Sequence, residues 1–307
     1  MVLKRYDGNP ILSPIRENLW ESIMVYNAAA IYEGGKVHIL YRAQGSKAGP
    51  SRVGYASSTD GFKVDERLDK PIFGPSPASD LDCFGIEDPR LTRIGDRIYM
   101  NYSAYGYNMG MVFPVKRVQI GITSISVDDF LNKNWNWSER TYPFYLVDNK
   151  NSFFFPEKIN GKFVMVHRIP PHMWIAYSDD MKTWENQKIL MSPQFEWEYF
   201  KIGGGAPPIK TEKGWIVIYH GVDSHMQYRL GLALLDLEDP GKVIARLDKP
   251  FLEPETDYEV CGVVPNVTFT CGAVNIDDTL FVYYGGADTV VCVATAKIKD
   301  VLKVLGV

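Results

Sequence analysis

Glu87 and Asp88 stand side by side in Gly85-Ile86-Glu87-Asp88-Pro89-Arg90-Leu91, two acids held by a following proline and flanked by an arginine. Such a group is poor core material. A charged turn, which Asp-Pro starts readily, would explain it. Other chemistry-bearing side chains recur at comparable places beside apolar hairpins. Asn27, Glu157 with Lys158, and Lys201 ahead of Gly203-Gly204-Gly205 lie around first strands. Arg42, Ser103 with Tyr105, His167 with Arg168, His220 and Asp288 lie at or just beyond the ends of second strands. Acids, cations, amide and imidazole brought together would suit a polar, anionic or hydroxylated ligand.

Each residue taken alone has a plainer use. Asn27 and Asp88 also fit hairpin caps, His167 fits a satisfied core histidine, and Arg42 and Arg168 fit ion pairs with nearby acids. Lys201 is favoured as an anion contact because the glycines after it let backbone approach a ligand closely. In an extended segment successive side chains face opposite sides, so only one of Glu87 and Asp88 is expected to reach a shared pocket. His38, His167, His172, His220 and His225 never fall at a zinc spacing, so no metal is expected. The triple glycine precedes Ala206-Pro207-Pro208 rather than a helix, which argues against a nucleotide loop, and no GxSxG elbow is present.

What must position these groups is a repeat. Five hairpins turn at Glu33-Gly34-Gly35, Ile94-Gly95-Asp96, Asn160-Gly161, Glu212-Lys213-Gly214 and Asp277-Asp278. The third is read as Phe155 to Ile159 followed by Lys162 to Arg168. A third strand of small and apolar residues follows each hairpin, as in Val53 to Ser58 or Leu230 to Leu235. A fourth, proline-bounded segment then appears at Pro71–Pro75, Pro143–Leu146, Ile189–Pro193 and Pro250–Pro254, as expected of an edge strand. Its fifth copy is missing from the C-terminus and stands instead at Pro10–Pro14. The pattern predicts an all-β fold: a five-bladed β-propeller of four-stranded blades, with the N-terminal strand completing the last blade. Residues 1–307 read as a single domain, with a short helical turn over Lys299 to Val304. Innermost strands line the axis of such a ring, so matching positions in successive blades converge there.

Composition narrows the partners. The formal charge is -4 and no basic cluster stands out, so nucleic acid is not expected. The N-terminus lacks the apolar core of a signal peptide, and no run long enough to span a membrane occurs, which points to a soluble cytoplasmic protein. Four cysteines without a CxxC pair read as reduced thiols. Aromatic residues make up 13% of the chain, which suits both strands and sugar binding. Trp20, Trp135 and Trp137 are candidates for exposed positions in a homo-oligomer interface.

The sequence resembles glycoside hydrolase family 130, the mannoside phosphorylases and related mannosidases with five-bladed propeller folds. The resemblance rests on Glu87-Asp88-Pro89-Arg90, Phe155 to Lys162, His167-Arg168, Lys201 to Gly205, Ile218 to Val222, Leu234 to Pro240, Val264 to Val267 and Tyr283 to Thr289. It covers nearly the whole chain. It implies that Asp88 is the general acid, acting through a substrate hydroxyl, and that inorganic phosphate breaks a β-mannosidic bond with inversion to give mannose 1-phosphate. Phosphate is then a co-substrate and no further cofactor is implied. Lys158, Lys201 and His220 match positions that look like the family's phosphate contacts, with Arg140 or Arg168 as a bidentate fork.

Asn27, Arg42 and Asp288 match mannose-binding positions, Glu87 and His167 stand beside them, and Tyr105, Tyr228 and Trp174 are candidates to stack on the second sugar. A β-1,2-linked manno-oligosaccharide is the favoured substrate, with β-1,4 the near alternative. Two other functions remain open at this point. One is an inverting β-mannosidase with Glu157 or Glu87 as base. The other is a carbohydrate-binding propeller without turnover.

Overall fold

In a computed structural model that describes residues 2–108, 115–144 and 147–307, the strands form five sheets arranged as the blades of a propeller. The first strand, β1 (Lys4–Arg5), belongs to the last blade. Blade 1 contains β2 (Met24–Glu33), β3 (Lys36–Gln44), β4 (Arg52–Ser58) and β5 (Glu66–Arg67). Blade 2 contains β6 (Gly85–Ile94), β7 (Arg97–Asn108) and β8 (Val115–Ser126), followed by the short helix α1 (Val127–Leu131). Blade 3 contains β9 (Lys150–Phe154), β10 (Phe163–Ile169), β11 (His172–Ser178) and β12 (Glu185–Met191).

In blade 4 the inner strand is broken into β13 (Lys201–Gly204) and β14 (Ile209–Thr211), both paired with β15 (Gly214–Val222). The break falls at Pro207-Pro208, which have no N–H to give to a ladder. The strands β16 (Tyr228–Leu235) and β17 (Val243–Arg246) complete that blade. Blade 5, reached through α2 (Asp257–Val260), holds β18 (Thr268–Ile276), β19 (Thr279–Gly286) and β20 (Val290–Lys297), and α3 (Ile298–Val304) ends the fold.

Ring closure follows the displaced N-terminal segment. Lys4 and Arg5 pair with Thr295 and Ala294, and Leu12 of the proline-bounded stretch bridges to Val291. The proline-bounded segments of blades 1 and 4 make the same kind of single bridge to the third strand, Val53 with Phe73 and Leu230 with Leu252, and in blade 2 the bridge comes from Thr141, just ahead of Pro143. The expected edge strand is corrected here: only in blade 3 does the segment lie in the fourth strand, β12, whereas in blades 1, 4 and 5 that strand is the earlier stretch β5, β17 or β1. Tyr145 and Leu146, part of the expected outer segment of blade 2, lie outside the described residues.

Turn chemistry accounts for the hairpins. Asn160 and Gly161 both have positive φ, 52° and 80°, the twist that a two-residue turn needs between right-twisted strands. Between blades the buried faces interdigitate, as where Ile218 and Leu232 of blade 4 share a cluster with Val282 and Cys292 of blade 5. Two expectations are corrected here. The inner strand of blade 3 starts at Lys150, five residues before the predicted Phe155. Trp20, Trp135 and Trp137 are half-buried against the cores of their blades, Trp20 stacked over Tyr41 and Trp135 against Tyr55 and Phe130.

Candidate active site

Aligning the second strands of the blades shows which residues can face the axis. Tyr41, Tyr102, His167, Tyr219 and Tyr284 occupy one column, and the residue after each forms the next: Arg42, Ser103, Arg168, His220 and Gly285. Adjacent residues of a strand point to opposite faces, so the two columns have different surroundings. In four blades the tyrosine hydroxyl meets a buried acid that also takes an arginine from the blade's outer segment. These groups are Tyr41–Glu21–Arg67, Tyr102–Asp82–Arg140, Tyr219–Glu198–Arg246 and Tyr284–Glu259–Arg5.

The inner strands add the acid side of the site. In blades 1, 2 and 3 the ladder register slips at Asn27-Ala28, Asp88-Pro89 and Asn151-Ser152. Asn27, Asp88 and Asn151 take left-handed φ values of 48°, 50° and 56°, a conformation that Asn and Asp tolerate better than most residues. Such a bulge re-aims a side chain. Asp88 Oδ1 accepts from Asn27 Nδ2 at 2.9 Å and from Arg42 Nη1 at 3.1 Å, while Arg42 Nη2 donates to Glu87 Oε1 at 2.7 Å. Both acids therefore reach Arg42, against the expectation that only one would share the pocket. An unbroken strand would have separated them, and the bulge brings them back together.

Burial pushes the Asp88 carboxyl up, but Arg42, Lys150, Arg90 and the Asn27 hydrogen bond outweigh it and hold the group below the ordinary carboxylate value. Asp288, at φ 48°, shares this region without comparable help. Its burial, only partly offset by Arg42, pushes it up to about 7. Arg90 is fully buried beneath the acids. It donates to the Asp88 carbonyl at 2.9 Å and crosses the axis to the carbonyls of Gly204 and Gly205 at 2.8 and 2.6 Å. This guanidinium ties the acid-bearing bulge to the broken inner strand of blade 4.

Opposite the acids is a cluster of cations from blades 3 and 4. Lys150 and Arg168 are paired across β9 and β10, and Lys201 and His220 come from β13 and β15. Among the described residues, none of the ion pairs includes Lys150, Arg168 or Lys201, and Arg168 Nε and both ring nitrogens of His220 lack a hydrogen-bond partner. Burial, reinforced by Arg168 and Lys150, lowers Lys201 to about 8. Burial lowers Arg168 to about 10 and holds His220 well below its ordinary value, so that the imidazole is neutral. Lys150 is lowered too, by burial first and by Arg168 and Arg42 against the pull of Glu87 and Asp88. Tyr228 stacks on His220 at 6.0 Å between ring centroids, with Lys201 Nζ 5.5 Å from the same ring. The three glycines serve this packing, since a Cβ on Gly203 would lie 2.6 Å from the His220 ring and one on Gly204 2.6 Å from the Asn151 carbonyl.

Four of the sequence candidates lie away from this convergence. Lys158 and Glu157 are exposed past the end of β9, Lys158 over Phe163 and Glu157 paired with Lys210 at 2.5 Å. The hairpin turn at Asn160-Gly161 set the predicted strand too late, and Lys150 occupies the axial place. Arg140 is bound to the buried Asp82 and lies 4.2 Å over Phe73, as the outer arginine of the blade 2 group. His167 is in the tyrosine column, bonded to Asn149 at 2.9 Å and stacked on Phe144 and Trp174, with burial lowering it to about 4. Lys150 and Asn151 were missed by sequence reasoning. The signal available was the pair Asn151-Ser152, an Asn followed by a small residue, like Asn27-Ala28.

A family model described as beta-1,4-mannooligosaccharide phosphorylase matches residues 4–306. The chain belongs to glycoside hydrolase family 130. Within the family it is 45% identical over 308 residues to a 1,2-beta-oligomannan phosphorylase of Thermoanaerobacter sp. (strain X514), covering 97% of this chain and 98% of that one. It is 46% identical over 315 residues to a beta-1,2-mannobiose phosphorylase of the same organism, with the same coverage. A solved structure of beta-1,2-mannobiose phosphorylase from Listeria innocua, in complex with beta-1,2-mannobiose, superposes with a TM-score of 0.83 at 29% identity over 100% of this chain and 99% of the other.

Proposed function

We propose that the protein is an inverting β-mannoside phosphorylase that transfers a mannosyl unit from a β-1,2-linked manno-oligosaccharide to inorganic phosphate. The observation that carries this reading is a set of cations, Lys150, Arg168 and Lys201 beside neutral His220, that form no ion pair among the described residues and face the acids across the axis. An inverting hydrolase needs a carboxylate base on the face of the sugar opposite the acid, to activate water. Here that face carries cations. Glu157 lies past the end of β9 in an exposed ion pair with Lys210, and Glu87 is held by Arg42 on the same side as Asp88. Cations are what an already nucleophilic phosphate requires, both to hold it and to accept its charge.

The proton balance closes without a base. Hydrogen phosphate forms a bond to the anomeric carbon, the glycosidic C–O bond breaks, and the proton of the phosphate ends on the departing sugar hydroxyl. Asp88 is the group that moves it, delivering a proton to the leaving oxygen through a sugar hydroxyl. Arg42, Lys150 and Arg90 hold Asp88 ionised at neutral pH against its burial. Phosphate and sugar arriving beside it add negative charge and expel water, and both changes raise a carboxyl pKa. Asn27, Arg42 and Asp288 line the sugar, with Asn151 below it. A cytoplasmic location, where phosphate is abundant, suits this chemistry.

The test is to incubate the protein with β-1,2-mannobiose and with β-1,4-mannobiose, each with and without phosphate, and identify the products. The expected result is α-mannose 1-phosphate from the β-1,2 substrate only when phosphate is present. Free mannose formed equally without phosphate overturns the reading in favour of hydrolysis.

A further inference from the structure

The hairpin of blade 2 extends farther at the site end than its counterparts. Its strands β7 and β8 have twelve residues each, against nine and seven for β3 and β4 of blade 1. The added length carries aromatic residues in a defined relation to the acids. Glu87 pairs with Ser103 and Gly85 with Tyr105, so Tyr105 stands one step outward from Glu87 on the same face of the sheet. Tyr107 follows on that face, and its partner across the ladder is Lys116. Phe84 packs against both tyrosines, with ring centroids 5.5 Å from Tyr105 and 4.6 Å from Tyr107, and Lys116 Nζ lies 4.7 Å from the Phe84 ring. The three rings are only half-buried and Lys116 is exposed.

Resting on the proposed phosphorolysis, the direction in which the chain of the substrate leaves is fixed by stereochemistry. Displacement with inversion puts the nucleophile and the departing sugar on opposite faces of the reacting ring. The cations are in blades 3 and 4, so the departing part of the oligosaccharide runs out over blades 1 and 2. We propose that Phe84, Tyr105, Tyr107 and Lys116 form an acceptor-side shelf whose outer part, Tyr107 and Lys116, holds the mannosyl units beyond the second and so gives the protein a preference for chains longer than a disaccharide. The CH-rich faces of pyranose rings suit half-buried aromatic rings, and the phenol and ammonium groups at the edge supply hydrogen bonds to the sugar hydroxyls.

The experiment compares binding of β-1,2-mannobiose and β-1,2-mannotetraose by titration calorimetry, for the unmodified protein and for Tyr107→Ala and Lys116→Met. Binding of the tetrasaccharide is expected to be tighter by roughly tenfold, the scale of one or two aromatic contacts. Tyr107→Ala should remove that margin and leave mannobiose affinity unchanged, and Lys116→Met, at an exposed position, should reduce it in part. A margin that persists in both variants, or a loss shared equally by the two sugars, overturns the shelf. Phosphate-independent hydrolysis with the margin intact would count against the phosphorylase reading and not against the shelf.

Discussion

Arg140 separates two accounts of the same residue type, and its substitution can be worked through. Asp82 is fully buried and is held by Arg140, by the hydroxyls of Tyr142 at 2.9 Å and Tyr102 at 3.3 Å, and by the backbone N–H of Ser76 at 3.2 Å. Arg140 also donates to the Gly74 carbonyl at 2.7 Å. Replacing it with methionine keeps most of the packing on Phe73 and leaves a buried carboxylate without its cation. Breaking a buried pair in this way costs about 3–5 kcal/mol. The Arg140 side chain retains 20% exposure and Asp82 keeps three other donors, so the lower end, about 3 kcal/mol, is expected. In a chain of this size that lowers Tm by roughly 5 °C. The assay is a thermal scan of Arg140→Met followed by circular dichroism, alongside the KM for phosphate at a temperature where the variant is folded. Asp82→Asn in the same chain should recover part of the loss, because the stranded charge is gone. An unchanged Tm together with a large rise in phosphate KM would refute the structural assignment and return Arg140 to the phosphate site.

Other consequences can be checked with the same assays. Lys201, lowered to about 8, is charged below that pH and neutral above it, so the KM for phosphate should rise between pH 7 and 9, and Lys201→Arg should flatten the rise. Lys150→Met should raise the phosphate KM about tenfold or more, the worth of one charge-assisted contact, and change the mannobiose KM little. Asp288 at about 7 keeps a proton that the unfolded chain releases near its ordinary value of 3.8. Stability therefore falls as pH rises between those values, and Asp288→Asn should gain in Tm over the unmodified protein from pH 5 to pH 8. A gap independent of pH would show that Asp288 does not titrate in that window.

The ring was legible because its evidence is periodic. Hairpin turns fix the spacing, and the stray proline-bounded segment at Pro10–Pro14 makes sense only if the first strand finishes the last blade, as the bridge from Leu12 to Val291 does. Asp88, Asn27 and Arg42 were legible for the same reason, since they repeat in position. What failed was the choice of face. His167 and Arg168 are neighbours of similar chemistry, and only the column set by Tyr41, Tyr102, Tyr219 and Tyr284 shows that Arg168 faces the axis. Arg140 belongs with Arg67 and Arg246 for the same reason, although its segment carries no local pattern. Lys150 was lost in a polar stretch, Asp148-Asn149-Lys150-Asn151, that looks like loop until its pairing with Arg168 is seen.

The two columns also explain how a pocket with so many bare charges stays in shape. Burial strips these groups of hydration and lowers Lys150, Lys201, Arg168 and His220 alike, and Arg168 adds to the lowering of Lys150, Lys201 and His220 by repulsion. Left on flexible side chains they would move apart into water. Here Arg168 and His220 each follow a column residue locked between blades, His167 by Asn149 and stacked rings, and Tyr219 by Glu198 and Arg246. On the acid side Arg42 follows Tyr41, which Glu21 and Arg67 hold in the same way. Arg42, Arg168 and His220 are therefore set one residue from anchors fully engaged elsewhere, and Arg90 fixes the two sides across the axis. An anion of the right size relieves the repulsion and a cation would increase it. On the proposed phosphorolysis, exchanging a lysine such as Lys150 for a carboxylate would turn the same scaffold toward hydrolysis, because the base of an inverting hydrolase has to stand on that face.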